Sequence, residues 1–297
     1  MNRAQIRMLP DGRRLHLQDG PIDLIVEAFG ARDDIQRAYD AATARFMTIL
    51  DELCAELPLL RASVDAGRCR PVGAVARRMH DAVAPLACYG FITPMAAVAG
   101  TVAEETLAAM CRAAPRLERA YVNNGGDIAL HLTPGTSFSV ALIDRPDRPS
   151  LIGTARIDAE EPVRGIATSG WRGRSFSLGI ADAVTVLAAT AAKADAAATL
   201  IANAVDLPDH PGIGRAPADA LQPDSDLGPR LVTRHVPALR DDEIDRALAA
   251  GVARARALQA RGLIAGAALH LQGETRSIGR ADSRVMSQTD RKELVHG

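Results

Sequence analysis

The segment "YVNNGGDIALHL", Tyr121 to Leu132, constrains the fold most, because it places a tight turn between two apolar, strand-like runs. Adjacent glycines after asparagine accept the positive φ angles that a two-residue hairpin turn requires. Strand patterns continue along the chain after Pro115. They predict strands at 120–123, 128–132, 137–143, 152–156, 163–167 and 183–187.

Apolar residues at helical spacing precede and follow the predicted strands at 120–187. A hairpin turning at Asp19-Gly20 precedes helices predicted at 31–60 and 72–84, and Thr93 is predicted to cap a third helix, "TPMAAVAGTVAEETLAAMCRA". Further helices are predicted at 191–205 and 241–259, with a final strand in "LIAGAALHLQG". Helices beside a mainly antiparallel sheet define an α+β fold class.

Charge and composition exclude several classes of protein. Lys and Arg number 35 against 36 Asp and Glu, without a basic stripe, which argues against a nucleic-acid partner. Proline and glycine interrupt the apolar run 82–103, which we interpret as core and not as a membrane span. The N-terminus lacks the apolar region of a secretory signal, so we expect a cytoplasmic protein with no membrane partner.

The predicted organisation is one domain, residues 1–280, followed by a mobile tail, residues 281–297. Residues 206–229 are rich in Pro, Gly and Asp and are predicted to form a surface loop or lid.

The Asn-Gly-Gly-Asp turn has two interpretations that are compatible with each other. It closes a hairpin, and its bare backbone also leaves N–H groups open to a planar ligand or a phosphate. Asp127 could then bind a ribose hydroxyl or a ring N–H of that ligand.

The segment "KADAAATL" places Asp195 and Thr199 four residues apart, on one face of a helix. A carboxylate and a hydroxyl one turn apart suit a hard cation such as Mg²⁺. The alternative is that Asp195 complements a helix N-terminus and Thr199 only packs.

The segment "RGIATSGWRGRSF" combines hydroxyls, open N–H groups and two arginines close to one another. Such a set could bind a phosphate, or it could form a strand, a turn and a strand with solvated arginines. No Ser-His-Asp arrangement, Gly-rich dinucleotide motif or P-loop is recognisable. Among the histidines we retain His210 and His235 as candidates.

These segments together resemble the ApbE superfamily of FAD:protein FMN transferases, and more closely its cytosolic ApbE-like branch. The family stretch N-x-G-G-D-[IV] matches Asn123, Gly125, Gly126, Asp127 and Ile128, and the family TSG matches Thr168, Ser169 and Gly170. The family strand and helix "SVTVIA…ADALATAL" is similar to residues 182–203, and "GIAKGYAVD" is similar to "AVAGTVAEE", residues 97–105. The similarity covers residues 93–203.

The resemblance implies a tunnelling-type α+β fold, a bound flavin nucleotide (FAD or FMN) beside the turn, and a Mg²⁺ ion. By position the ion is held by the backbone carbonyl of Ala99 and by Asp195 and Thr199. Arg172 and Arg174 are then candidates for binding the phosphates. Relatives with this type of fold assemble through their sheets, so a homo-oligomer is a further expectation.

Two departures from the family pattern leave the activity open. The family motif "H-I-[IL]-[DN]-P-x-T-G" is replaced by "SFSLGIADA", and the lysine of "GIAKG" is replaced by Gly100. One hypothesis is a Mg²⁺-dependent transferase or hydrolase acting on a flavin nucleotide. The other is a protein that binds a flavin or pterin-type cofactor without turning it over.

Overall fold

The computed structural model describes residues 4–64, 70–144, 147 and 151–279, without the side chains of residues 151 and 152. The predicted mobile tail, residues 281–297, lies outside the described residues. The strands are β1 Gln5–Met8, β2 Leu15–Asp19, β3 Ile22–Phe29, β4 Arg119–Asn124, β5 Asp127–Leu132, β6 Ser137–Ile143, β7 Leu151–Asp158, β8 Gly165–Ser169, β9 Ala183–Ala188, β10 Gly214–Pro217, β11 Leu231–His235, β12 Gly266–Leu271 and β13 Glu274–Gly279. The helices are α1 Arg32–Ala55, α2 Leu57–Leu60, α3 Ala74–Val83, α4 Val98–Ala113, α5 Ala191–Ala204, α6 Ala218–Leu221 and α7 Asp241–Ala260.

The chain divides into two compact units, each built from separate stretches. The first unit comprises residues 1–137, 158–167 and 188–196, and the second comprises residues 138–157, 168–187 and 197–297. The single domain at 1–280 stays a prediction.

The first unit is an antiparallel sheet covered by helices. Strands β1 to β5 pair in chain order, and Gly165 and Ile166 of β8 pair with β5. Alternate residues of β3, Leu24, Val26 and Ala28, are buried, as expected for a strand with one face against a core. Helix α1 packs on α4, and α4 packs on β4 and β5. This arrangement confirms the predicted α+β class with a mainly antiparallel sheet.

The second unit contains β9 paired with β12, which in turn pairs with β13, and all these pairs are antiparallel. Every residue of β9 and β12 is buried. Helix α7 packs against β12 and β13. Two separate ribbons, β6 with β7 and β10 with β11, complete this unit.

Several predicted boundaries need correction. The third helix does not start at a Thr93 cap: residues Pro94–Ala97 form a 3₁₀ turn, Thr93 makes no capping hydrogen bond there, and α4 begins at Val98. Strand β8 begins two residues later than predicted. The reason is that the Arg164 guanidinium binds the carbonyls of Ala159, Glu161 and Val163, which holds the preceding residues in a loop.

The predicted loop at 206–229 contains β10 and α6 and is therefore partly regular. Arg215 anchors it, because its guanidinium binds Asp206 Oδ1 and the Leu178 carbonyl, each at 2.5 Å. A role as a lid stays a prediction.

Among the described residues, no single helix combines the length and apolarity needed to cross a membrane. In this described part of the chain, one bent pair, Ala74–Tyr89 with Pro94–Ala113, meets that test jointly, across a bend of 117°.

Candidate functional site

The turn between β4 and β5 is a two-residue hairpin turn. Asn124 and Asp127 are register partners, and Gly125 and Gly126 between them have φ of 65° and 113°. Positive φ at both central residues explains why two glycines occur here. Asn123 Oδ1 accepts a hydrogen bond from Gly126 N at 2.8 Å. Asn123, predicted to bind a cofactor, therefore has a structural role in the turn.

Asn124 contacts another part of the chain. Its side chain is 8% exposed, and its Nδ2 donates to the carbonyl oxygen of Ala99 at 3.1 Å. Asn123 and Asn124 leave opposite faces of β4, because side chains alternate along a strand. Asn124 was not predicted from the sequence as a site residue; the alternation that places it on the buried face with Val122 was the available signal.

Asp195 contacts the start of α4. Its Oδ2 accepts a hydrogen bond from Gly100 N at 2.9 Å. The N-cap residue of α4 is Ala97, which has no side-chain acceptor. Asp195 therefore satisfies N–H groups that α4 cannot satisfy itself, and its negative charge lies at the positive end of the helix.

The pKa of the Asp195 carboxyl is raised well above its usual value, mainly by burial and next by the negative charge of Asp127. Backbone hydrogen bonds from Gly100 and Ala99 oppose that rise. The contacts agree with this, because Asp195 binds Gly100 N while Asn124, the register partner of Asp127, binds the adjacent Ala99 carbonyl. The structure thus brings together Ala99, Asp127 and Asp195 from the predicted site, and it adds Asn124.

The starts of α4 and α5 cap each other. Glu104 of α4 accepts from Ala192 N at 2.7 Å, while Asp195 of α5 accepts from Gly100 N. Gly100 permits this close approach, because a Cβ there would lie 2.3 Å from the Ala191 carbonyl oxygen. The lysine of the family pattern would meet this backbone at the same position. An open groove of about 160 Å³ lies beside the contact, and Arg78, Glu104 and Lys193 contribute to its lining.

Thr199 is the last predicted metal ligand. It follows Asp195 by four residues on the single helix α5, so helix geometry alone places the two on one face. Within the described residues, no group of three or more His, Cys, Asp or Glu side chains forms a metal cluster. The predicted donors are instead one carboxylate, a carbonyl and a hydroxyl, which are all oxygen donors and suit Mg²⁺.

The residues of the TSG segment belong to the second unit. Thr168 Oγ1 lies 2.9 Å from Thr185 Oγ1, and Ser169 is half-buried. Gly170 lies against Asp182, since a Cβ on Gly170 would come within 2.5 Å of the Asp182 carbonyl oxygen. Arg174 is exposed.

Arg172 is held by Asp182, a residue that our sequence analysis overlooked. The Arg172 guanidinium lies over the Trp171 ring at 4.3 Å and donates from Nε to Asp182 Oδ1 at 2.6 Å. Asp182 also accepts from Trp171 Nε1 at 3.2 Å and from Gln272 N at 2.7 Å. A phosphate would therefore compete with a buried carboxylate for this arginine.

Neither retained histidine has a contact within the described residues that indicates catalysis. His210 Nδ1 accepts from Gly212 N at 3.1 Å, and its Nε2 lies 3.5 Å from Glu243. His235 ends β11 and is exposed.

A family model described as AbpE bacteria matches residues 6–277. Because the match covers most of the chain, the chain belongs to this ApbE-like family, which confirms the family predicted from the motifs.

Similar curated proteins carry the name UPF0280 protein. The chain is 38% identical over 135 residues to the protein of Methanosphaerula palustris. The aligned region covers 42% of this chain and 50% of the relative. It is 44% identical over 131 residues to the protein of Methanopyrus kandleri, and the aligned region covers 43% of this chain and 48% of the relative. The chain thus spans about half the length of the curated relatives it matches.

Two solved structures are similar over most of their length. The apo form of the flavinyl transferase ApbE of Pseudomonas stutzeri has a TM-score of 0.49 and 12% identity, with 94% of this chain and 95% of that chain covered. A mutant of the Vibrio cholerae flavin transferase ApbE has a TM-score of 0.36 and 13% identity, with 93% of this chain and 96% of that chain covered. The family assignment rests on the family model and not on these two structures.

Proposed function

We propose that this protein binds a flavin nucleotide, or a nucleotide of similar shape, together with a divalent cation at the start of α4 and α5. The observation that carries the proposal is the pair of acids at the start of α4. Asp195 accepts a hydrogen bond from Gly100 N, and Asn124, the register partner of Asp127, donates to the Ala99 carbonyl of the same turn. The charge of Asp127 also raises the pKa of Asp195, and a divalent ion would offset the charges of both carboxylates.

The cation ligands in this proposal are Asp195, Thr199 and the Ala99 carbonyl, with Gly125, Gly126 and Asp127 beside the nucleotide. Phosphate binding by Thr168, Ser169, Gly170, Arg172 and Arg174 stays a prediction from the sequence. A divalent ion bound to these ligands would neutralise part of the negative charge of the pyrophosphate. The names of the two ApbE structures, a flavinyl transferase and a flavin transferase, are compatible with a flavin as the ligand.

Calorimetric titration of FAD, FMN and ADP, each with and without Mg²⁺, tests the proposal. We expect FAD to bind in a Mg²⁺-dependent manner. Asp195→Asn should weaken that binding by about 10- to 100-fold, because it removes charge from a group that orders the site. Asp33→Asn, an exposed acid in the first turn of α1, is the matched control and should bind as the wild type does. Failure of every flavin nucleotide to bind would contradict the proposal.

Turnover is a separate question. Transfer would break the pyrophosphate of FAD, form a phosphoester between FMN and an acceptor hydroxyl, and release AMP; with water as acceptor the products are FMN and AMP. The second candidate function, binding without turnover, is favoured by Gly100 in place of the family lysine and by the Asp182 carboxylate on Arg172. Chromatography of FAD incubated with the protein and Mg²⁺ distinguishes the two, since only turnover yields AMP.

A further inference from the structure

Strand β1 is an edge strand of the sheet in the first unit. It stands at the end of the strand order, and among the described strands it pairs with β2 only. All four residues of β1 are exposed. An edge of this kind can receive a further strand through main-chain hydrogen bonds.

The backbone groups of β1 point away from β2 at every second residue. Leu9 N donates to the Arg14 carbonyl at 2.8 Å, which makes Leu9 and Arg14 a hydrogen-bonded pair at the end of this ladder. Such pairs alternate with non-hydrogen-bonded pairs along an antiparallel ladder. Because the β1–β2 register is uninterrupted, the N–H and C=O groups of Ile6 and Met8 are directed outward, and those of Ala4 follow by continuation.

The same residues carry the apolar side chains of β1. Ile6 lies opposite Leu17, and Met8 lies opposite Leu15. Leu17 and Leu15 are 0% and 5% exposed, whereas Ile6 and Met8 are 40% and 46% exposed. The buried apolar face of the sheet therefore continues to its edge and meets solvent there, which is typical of an interaction surface.

We propose that β1 pairs in an antiparallel manner with β1 of a second copy of this chain, about a two-fold axis at Ile6. In this register Ile6 lies opposite the partner's Ile6, Ala4 lies opposite the partner's Met8, and Gln5 lies opposite the partner's Arg7. Apolar residues thus meet apolar residues, and polar residues meet polar residues, so the strand is its own complement. The pairing gives the expected homo-oligomer a specific contact.

Charge selects this register. An axis shifted by one residue would place Arg7 directly opposite the partner's Arg7, and like charges in that position destabilise a strand pair. With the axis at Ile6, the Arg7 guanidinium instead faces the side-chain amide of the partner's Gln5, whose oxygen is an acceptor. A guanidinium has five N–H donors, of which Arg7 uses Nε for His16 Nδ1 at 3.1 Å.

Sedimentation equilibrium across a concentration series tests the pairing. We expect the wild type to approach twice its chain mass of 31.4 kDa as the concentration rises. Ile6→Lys places two like charges opposite each other at the axis and should remain monomeric over the same series. Val72→Lys is the matched control, because it adds the same charge at another apolar residue, which is 79% exposed, and it should still dimerise. A monomeric wild type, or an Ile6→Lys variant that dimerises as the wild type does, would overturn the inference.

Disulfide formation tests the register, in a background whose four cysteines are all replaced with serine. Opposite residues of a hydrogen-bonded pair have Cα atoms about 5.5 Å apart, a distance that a disulfide bridges. Ile6→Cys should therefore give a covalent dimer after mild oxidation. Met8→Cys should not, because the two positions 8 lie four residues apart along the paired strands, about 13 Å.

Non-reducing electrophoresis distinguishes the possible registers. A covalent dimer of Met8→Cys but not of Ile6→Cys would place the axis elsewhere, and a failure of both to cross-link would exclude the pairing; either result overturns the inference. Circular dichroism confirms that each variant is folded. Neither experiment involves a nucleotide or a cation, so the outcome does not depend on the proposed function.

Discussion

Replacing Gly100 with alanine is expected to disrupt the contact between α4 and α5. A Cβ at position 100 would lie 2.3 Å from the Ala191 carbonyl oxygen and 2.9 Å from Ala192 N. Both are backbone atoms, so neither can rotate away as the end of a side chain can. Relief of the clash requires one helix to move relative to the other.

The expected loss of stability follows from two opposing contributions. Alanine in a helix is more favourable than glycine by about 1 kcal/mol. Overpacking costs about 1–3 kcal/mol, and the backbone contacts on both sides place this site at the upper end of that range. The net prediction is a decrease of about 2 kcal/mol in the free energy of unfolding, contrary to the gain that helix propensity alone predicts.

Urea denaturation of the wild type and the variant measures this difference. Gly251→Ala in α7 is the matched control, because it gives the same gain in helix propensity but meets side chains. Its Cβ would lie 2.3 Å from Val205 Cγ2 and 2.6 Å from Leu269 Cδ2, which are methyl groups that can move. We therefore expect Gly251→Ala to lose less stability than Gly100→Ala. A Gly100→Ala variant as stable as the wild type would refute the argument.

Three further predictions concern single side chains. Tyr121 donates to the buried Glu27 carboxylate at 3.0 Å, and burial, followed by the Glu27 charge, raises the pKa of Tyr121 to about 12. Tyr121→Phe should lower the free energy of unfolding by about 1–2 kcal/mol and remove the phenol absorbance change near that pH. Asp182→Ala should lower the free energy of unfolding by about 1–3 kcal/mol, because it removes the acceptor of the Gln272 N–H, and should change the fluorescence of Trp171, the only tryptophan; unchanged fluorescence would contradict the Trp171 contact. The raised pKa of Asp195 means that its charged form is disfavoured in the fold, so the free energy of unfolding should increase as pH falls through that raised pKa toward the usual value of 3.8. Asp195→Asn should lack this increase. Identical pH dependences of the free energy of unfolding in the wild type and the variant would contradict the prediction.

Local patterns predicted most of the regular structure. The Asp19-Gly20 turn, the apolar stripe of α1 and the strands around the Asn-Gly-Gly-Asp turn depend on neighbouring residues, and all three are confirmed. Strand β13 was overlooked, because its residues are polar and its pairing with β12 depends on a turn at Gln272-Gly273.

The contacts that organise the site could not be predicted in this way. Asp195 binds Gly100 N across 95 residues of sequence, and Glu104 binds Ala192 N across 88. No pattern among neighbouring residues of the sequence predicts a contact between residues so far apart in the chain. The incorrect Thr93 cap has the same origin, because α4 begins without a capping side chain of its own and receives its acceptor from α5. Asn124 was overlooked because the family pattern allows any residue at its position.

The structural and the functional interpretations of Asp195 are compatible. A carboxylate offers about four acceptor positions, and the backbone amides of Gly100 and Ala99 occupy only part of them. Capping α4 also fixes the orientation of the carboxylate, which a cation site requires of its ligands. Asp195→Asn retains an acceptor for the helix amides while it removes the charge. A loss of Mn²⁺ binding in this variant, with α4 still capped, would therefore measure the cation site separately from the helix cap.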